Sequence, residues 1–163
     1  MKHQAAVVTC SDRAFRGEYA DRSGPIIQAA LRDAGFAVGD VVLVPDDVET
    51  IQRAIGSFVQ AGVRLVVTTG GTGVAPRDVT VEATKAILDF EIPGIAEEIR
   101  RVGLAATPYA SLSRGLAGVV VRDENRALVV NAPGSTGGAK DTVRVLEPIV
   151  EHLIGQLDGI TNH

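Results

Sequence analysis

The sequence predicts an α/β fold, a mostly parallel sheet with helices on both faces. Three observations predict it. Short apolar runs alternate with amphipathic helical patterns up to Thr69. The segments between those runs are long enough for crossover helices rather than hairpin turns. The third run, Leu65-Val66-Val67, passes directly into a glycine-rich turn and then a helix start. An alternation of this kind implies parallel strands joined by right-handed crossovers.

Taken in order, Gln4 to Cys10 reads as a buried strand that closes on Ser11-Asp12-Arg13. Residues 14–21 form a mixed loop. Ser23 is the expected N-cap of a helix through Asp33, with Pro25 in its first turn and Gly35 at its end. Ile26, Ile27, Ala30, Leu31 and Ala34 recur at helical spacing along it. Ala37 to Val44 is a second strand, stopped by Pro45-Asp46-Asp47. A helix from Val48 to Ala61 places Ile51, Ala54, Ile55, Phe58 and Val59 on one face, and Gly62 ends it. After the third strand and its glycine turn, Thr80 is positioned to cap a helix, and Glu82 favours that helix's positive end. A further helix runs from Pro93 to about Leu104, followed by a short link over 108–114. Leu116 to Arg122 and Arg126 to Asn131, separated by Asp123-Glu124-Asn125, read as a hairpin. One antiparallel strand therefore joins the sheet. A final helix over about 140–157 carries Pro148, which predicts a kink. The whole chain, 1–163, reads as a single domain.

Composition narrows the function. The chain has 45% hydrophobic and 22% charged residues, ordinary for a globular domain. A net charge of −4 and 4% aromatics, with no Trp, argue against nucleic acid as a partner. The single Cys10 excludes an internal disulfide and a multi-cysteine zinc site. No run is long enough to span a bilayer, and the N-terminal apolar run is too short for a signal peptide. A cytoplasmic location is expected. His3, His152 and His163 fall outside the strand ends, so a Ser-His-Asp triad or histidine metal site is not expected.

Ligands of open α/β sheets bind beyond the carboxyl ends of the strands. This chain places Ser11 and Asp12, Asp46 and Asp47, Thr69 to Gly73 with Asp78, and Pro133-Gly134-Ser135 at those ends. Gly70, Gly71 and Gly73 allow backbone N–H groups to approach an anion closely. Asp78 sits within the same turn, where a carboxylate opposes an anion unless a metal ion lies between them. Asp46 and Asp78 are read as functional. For Asp12 and Asp47 a turn-forming role weighs at least equally, and Cys10 is read as core. Arg77 and Arg114 are candidates for phosphate contacts, with a solvated surface role equally open for either. The loop matches neither the P-loop nor the dinucleotide fingerprint, because no Lys follows its glycines and Pro76 stands where a third glycine would.

The run Thr68-Thr69-Gly70-Gly71-Thr72-Gly73, followed by Arg77-Asp78-Val79-Thr80, resembles the molybdopterin adenylyltransferase family of Mog/MoaB-like proteins. Ser11-Asp12-Arg13, Val44-Pro45-Asp46, Ile92-Pro93-Gly94, Leu112-Ser113-Arg114 and Pro133-Gly134 extend the resemblance over nearly the whole chain. It implies a three-layer α/β/α molybdopterin-binding fold and a homotrimer. It also implies a reaction in which the terminal phosphate of molybdopterin attacks the α-phosphate of Mg²⁺-ATP, giving adenylylated molybdopterin and pyrophosphate. A molybdate-inserting enzyme would be the downstream partner. The family's two essential acidic positions map onto Asp46 and Asp78 as Mg²⁺ ligands. Ser11, Asp12, Thr69, Gly70, Gly71, Thr72, Gly73, Ser113, Arg114, Pro133, Gly134 and Ser135 map onto substrate and nucleotide contacts. One departure is visible: the family's L-P-G-x-P motif reads Ala132-Pro133-Gly134-Ser135-Thr136 here. A non-catalytic molybdopterin carrier, an assembly scaffold and a pterin-independent nucleotide hydrolase are the competing expectations.

Overall fold

A computed structural model describes residues 3–160. Strand β1 (Gln4–Cys10) lies one place in from the edge of a seven-stranded sheet with β2 (Ala37–Val38), β3 (Val42–Val44), β4 (Leu65–Thr69), β5 (Phe90–Glu91), β6 (Ala117–Arg122) and β7 (Asn125–Ala132). The spatial order is β2-β1-β4-β7-β6-β5, and β3 follows β2 along the same side of β1. β6 alone runs against the others, antiparallel to both β7 and β5. The expected hairpin and single reversed strand are both present. At its tip Asp123 adopts a left-handed backbone, φ 53°, which Asp tolerates better than most residues.

The strands are apolar on both sides, as buried parallel strands must be. One face sets Ala5, Val7, Leu65, Val67, Leu128 and Val130 against helices α2 (Ser23–Asp33), α5 (Pro93–Leu104), α6 (Thr136–Leu146) and α7 (Val150–Leu157). The other sets Ala6, Val8, Cys10, Val66, Ala127 and Val129 against α3 (Val48–Gln60) and α4 (Thr80–Ile87). This is the three-layer α/β/α arrangement. Register aligns Thr9 with Thr69 and Thr69 with Ala132, while Cys10 pairs with Val44. The carboxyl ends of β1, β3, β4 and β7 therefore finish at one level of the sheet.

Four local expectations are corrected. The segment 37–44 is two short strands, because 39–41 leave the ladder and Gly39 gives its carbonyl to Gln28 instead. Residues 12–15 form a helical turn, α1 (Asp12–Phe15), where a loop is expected. Asp21 rather than Ser23 satisfies the start of α2: its Oδ1 accepts from Gly24 N at 3.1 Å, and Ser23 is already helical. The last helix breaks into α6 and α7 instead of kinking. Pro148 lacks an N–H and its ring crowds the preceding turn, so α6 stops at Leu146 and α7 starts at Val150. No helix among the described residues is long and apolar enough to cross a membrane.

Candidate active site

Two glycine loops meet at the aligned strand ends. The first leaves β4 through Gly70 and Gly71, with φ of +90° and +68°, conformations that cost any residue with a Cβ. Space is equally restrictive: a Cβ on Gly70 would lie 2.5 Å from the Cys10 carbonyl oxygen. The second loop leaves β7 through Pro133-Gly134, and a Cβ on Gly134 would lie 3.3 Å from the Gly70 Cα. Thr69 fastens them together. Its hydroxyl donates to the Pro133 carbonyl at 2.9 Å and lies 3.0 Å from Ser23 Oγ.

Below the loops a polar network is sealed in the sheet. Asn131 Nδ2 donates to Thr68 Oγ1 at 2.9 Å and Thr84 Oγ1 at 3.0 Å, and its Oδ1 accepts from Leu116 N at 3.1 Å. The Arg114 guanidinium holds the far side of the first loop. It donates to the carbonyls of Gly73 at 2.8 Å and Asp78 at 3.2 Å, and to Glu82 Oε1 at 2.5 Å. Two of its five N–H groups thus hold the loop and a third ties it to α4. That loop-holding function was not foreseen for Arg114 from the sequence.

The carboxylates fall into distinct environments. Asp12 and Asp46 brace each other's backbone: Asp12 N donates to Asp46 Oδ2 at 3.0 Å, and Asp46 N donates to Asp12 Oδ1 at 2.9 Å. Arg77 pairs with Asp12 Oδ2 at 2.9 Å. The Asp46 backbone N–H, followed by Arg77, holds the Asp12 carboxyl below its ordinary range. Asp46 is shifted the opposite way. Burial pushes its carboxyl up, the Asp12 N–H pulls it down, and the charges of Asp12 and Asp78 add to the rise. Its Oδ1 is buried without any hydrogen-bond partner. Asp78 Oδ2 accepts from Ala75 N at 3.1 Å and lies 2.8 Å from where a Cβ of Gly73 would be. Asp47 is a helix cap, its Oδ2 accepting from Thr50 N at 2.9 Å, so for this residue the turn-forming role applies.

Several expected contact residues also cap helices. Ser11 Oγ accepts from Ala14 N at 3.2 Å to start α1. Ser135 Oγ accepts from Gly138 N at 3.0 Å to start α6, four residues earlier in the chain than the expected helix start. Their O–H groups remain able to donate. Thr80 does not cap α4 but is its first residue, and its hydroxyl is buried and unpartnered. The Cys10 thiol lies beside Thr80 and Asp46. Burial pushes it up to about 12, the Thr80 hydroxyl offsetting part of the rise and the Asp46 charge adding to it. It stays a protonated core thiol.

The loops line an open cleft of about 330 Å³ that gathers Gly70 to Gly73, Asp78, Ser113, Pro133, Gly134 and Ser135. Asp46, Asp12, Ser11, Thr69 and Arg114 lie around or beneath it rather than in its lining. Tyr109 and Leu112 complete the lining; sequence reasoning missed Tyr109 and carried Leu112 only as part of the Leu112-Ser113-Arg114 motif, without a contact role. They sit on a 3₁₀ turn, Pro108–Leu112, and are 76% and 54% exposed. Their signal was two large apolar side chains in a segment with no helical or strand period. A deeper cavity of about 300 Å³ adjoins the cleft, sharing Tyr109, Ser113, Pro133 and Ser135 and reaching between α5 and α6. No group of three or more metal-ligating side chains occurs among the described residues.

Glycine loops at the carboxyl edge of a mostly parallel sheet, beside a half-buried carboxylate, make the kind of cleft in which open α/β proteins bind their ligands. Residues 6–152 match the family model described as "Probable molybdopterin binding domain". The chain belongs to that family. It is 41% identical over 141 residues to a molybdopterin adenylyltransferase of Haemophilus influenzae, covering 84% of this chain and 69% of that one. It is 35% identical over 156 residues to a molybdenum cofactor biosynthesis bifunctional protein of Chlorobaculum tepidum, covering 96% of this chain. The chain spans about half the length of that larger relative, 49%. A molybdopterin biosynthesis protein from Mycobacterium abscessus superposes with a TM-score of 0.89 at 45% identity, covering 97% of this chain and 98% of that one.

Proposed function

We propose that this chain is a molybdopterin adenylyltransferase that uses Mg²⁺ and ATP. A terminal phosphate oxygen of molybdopterin attacks the α-phosphorus of ATP, the bond to the β-phosphate oxygen breaks, and pyrophosphate leaves. The attacking group is already an anion, so no general base is needed, consistent with a cleft lined without histidine. The work left to the protein is to bring two polyanions together and hold them in line. Backbone N–H groups of Gly70 to Gly73 cradle phosphate, Ser113 and Ser135 supply further donors, and Arg114 holds the loop in the shape that does so.

The observation that carries this reading is the buried, unpartnered Oδ1 of Asp46 directly beneath the glycine loop. An anionic oxygen in that state fits a bound cation. Asp46 and Asp78 would hold the Mg²⁺, which when bound offsets the charge gathered on the phosphates. Self-association into a trimer and delivery to a molybdate-inserting enzyme belong to the same proposal. An apolar groove between α5 and α6, formed by Ile95, Val102, Val145 and Ile149, supports the former.

The test is mass spectrometry of the pterin after incubation with molybdopterin, ATP and Mg²⁺, beside ATP-only and metal-free controls. Metal-dependent adenylylated molybdopterin is expected. Asp78→Asn should abolish its formation while leaving the fold and pterin binding intact. Pterin that binds but stays unmodified would replace the enzyme by a carrier, and ATP hydrolysis without pterin would make it a nucleotide hydrolase.

A further inference from the structure

The described residues hold two buried side-chain oxygens with no hydrogen-bond partner, Asp46 Oδ1 and Thr80 Oγ1. They come from different elements, the turn after β3 and the first residue of α4, yet both face one atom position. A Cβ on Gly71 would lie 2.2 Å from Thr80 Oγ1 and 3.4 Å from Asp46 Oδ1. Thr80 is fully buried, and its backbone N–H is already spent on the Gly71 carbonyl at 3.2 Å. Its hydroxyl caps nothing, because Thr80 is already the first helical residue and its Oγ1 accepts no backbone N–H. The Cys10 thiol beside it is only a weak hydrogen-bonding group and does not satisfy it.

A buried hydroxyl without a partner costs about 1–3 kcal/mol. Two such oxygens at one glycine, one of them a carboxylate, form a donor set that a hard cation satisfies. An Asp with a Thr or Ser hydroxyl is also how P-loop proteins hold Mg²⁺, although this loop lacks that motif. We propose that Thr80 Oγ1 is a ligand of the cation held by Asp46, with Gly71 required because any side chain there would fill the space between the two oxygens. This rests on the cation assigned to Asp46 above, and it makes Thr80 part of the binding site rather than of the helix start.

The test is Mn²⁺ affinity, read by electron paramagnetic resonance of the free ion, in the presence of α,β-methylene-ATP. Wild type, Asp46→Asn, Thr80→Val and Thr80→Ser are compared. Thr80→Val keeps the shape and removes the oxygen, and Thr80→Ser restores the oxygen. Both Asp46→Asn and Thr80→Val should weaken binding at least about tenfold, by analogy with other losses around bound metals. Thr80→Ser should stay within about twofold of wild type. Wild-type affinity in Thr80→Val, with Asp46→Asn weakened, overturns the role of Thr80 and leaves the Asp46 cation standing. Unchanged affinity in both, or no Mn²⁺ binding by wild type, overturns the cation itself. Should Thr80→Val not fold, Thr80→Ala against Thr80→Ser makes the same comparison, since they differ only by the hydroxyl.

Discussion

Gly71→Ala is the sharpest perturbation of this architecture, and its cost can be worked from two separate sources. The backbone at φ +68° charges an L-residue about 1–2 kcal/mol. The added Cβ would meet Thr80 Oγ1 at 2.2 Å and Thr80 Cβ at 3.1 Å. Both atoms belong to a fully buried residue at a helix start, so they cannot swing away as the end of a flexible chain would. Overpacking of this kind adds about 1–3 kcal/mol. The expected loss is about 2–5 kcal/mol, a fall in Tm of roughly 4–20 °C for a domain of this size. Gly62→Ala isolates the first source. Gly62 also has a positive φ, +90°, but nothing lies within 4 Å of its would-be Cβ, and it closes α3 through the Val63 N to Phe58 O bond. It should lose only about 1–2 kcal/mol. Urea denaturation with an unchanged m-value measures both. Equal losses in the two variants would refute the steric argument and free Gly71 from any requirement imposed by Thr80.

Arg114→Lys should lower stability by about 1–2 kcal/mol. Most of that comes from the two loop carbonyls, because the partly exposed pair with Glu82 is worth little; urea denaturation checks the loss, and the loop should become more susceptible to proteolysis. Asn131→Leu keeps the volume but strands the Leu116 N–H in the interior, and a loss of about 2–4 kcal/mol by chemical denaturation is expected. Asp46 makes stability pH-dependent in chelator. Its folded pKa is raised, so its stabilising contribution is full below the unfolded carboxylate range and is lost as pH rises through the folded value. Asp46→Asn should therefore gain stability over wild type as pH is raised from about 4 to neutrality, and a difference that stays flat across that window would remove the burial argument. Asp12 acts in the opposite sense: its folded pKa is lowered, so its contribution is present above the unfolded range and lost as pH falls through the folded value.

Layer architecture was legible because it depends on hydrophobic period alone. The runs 4–10, 65–69 and 125–132 are mostly apolar and lie largely buried, and α3 and α5 show one apolar stripe each. Glycine spacing exposed the first loop for a similar reason, since a positive φ and a close backbone approach both demand the same residue. Errors gathered where one side chain decides between two local partners. Asp21 and Ser23 are both good caps, and only the fold shows which oxygen reaches Gly24 N. Arg114 looked like a free cation, yet its acceptors at Gly73, Asp78 and Glu82 are distant in the chain. Thr80 looked like a cap because its type and position suit one, and nothing local reveals that the helix already begins at Thr80 itself. Tyr109 and Leu112 carried no periodic signal at all.

The contact between Gly70 and Gly134 has a consequence for how such a site can diversify. A side chain at Gly70 would strike the Cys10 carbonyl and one at Gly134 would press on the Gly70 Cα, so the floor of the cleft is constrained in shape as well as in residue type. The 3₁₀ turn at the rim is under no such constraint: Tyr109 and Leu112 are exposed, and the turn is anchored by Thr107, whose Oγ1 accepts from Tyr109 N at 3.2 Å. Substitutions at 109 and 112 can therefore reshape the mouth of the cleft while its floor stays as it is.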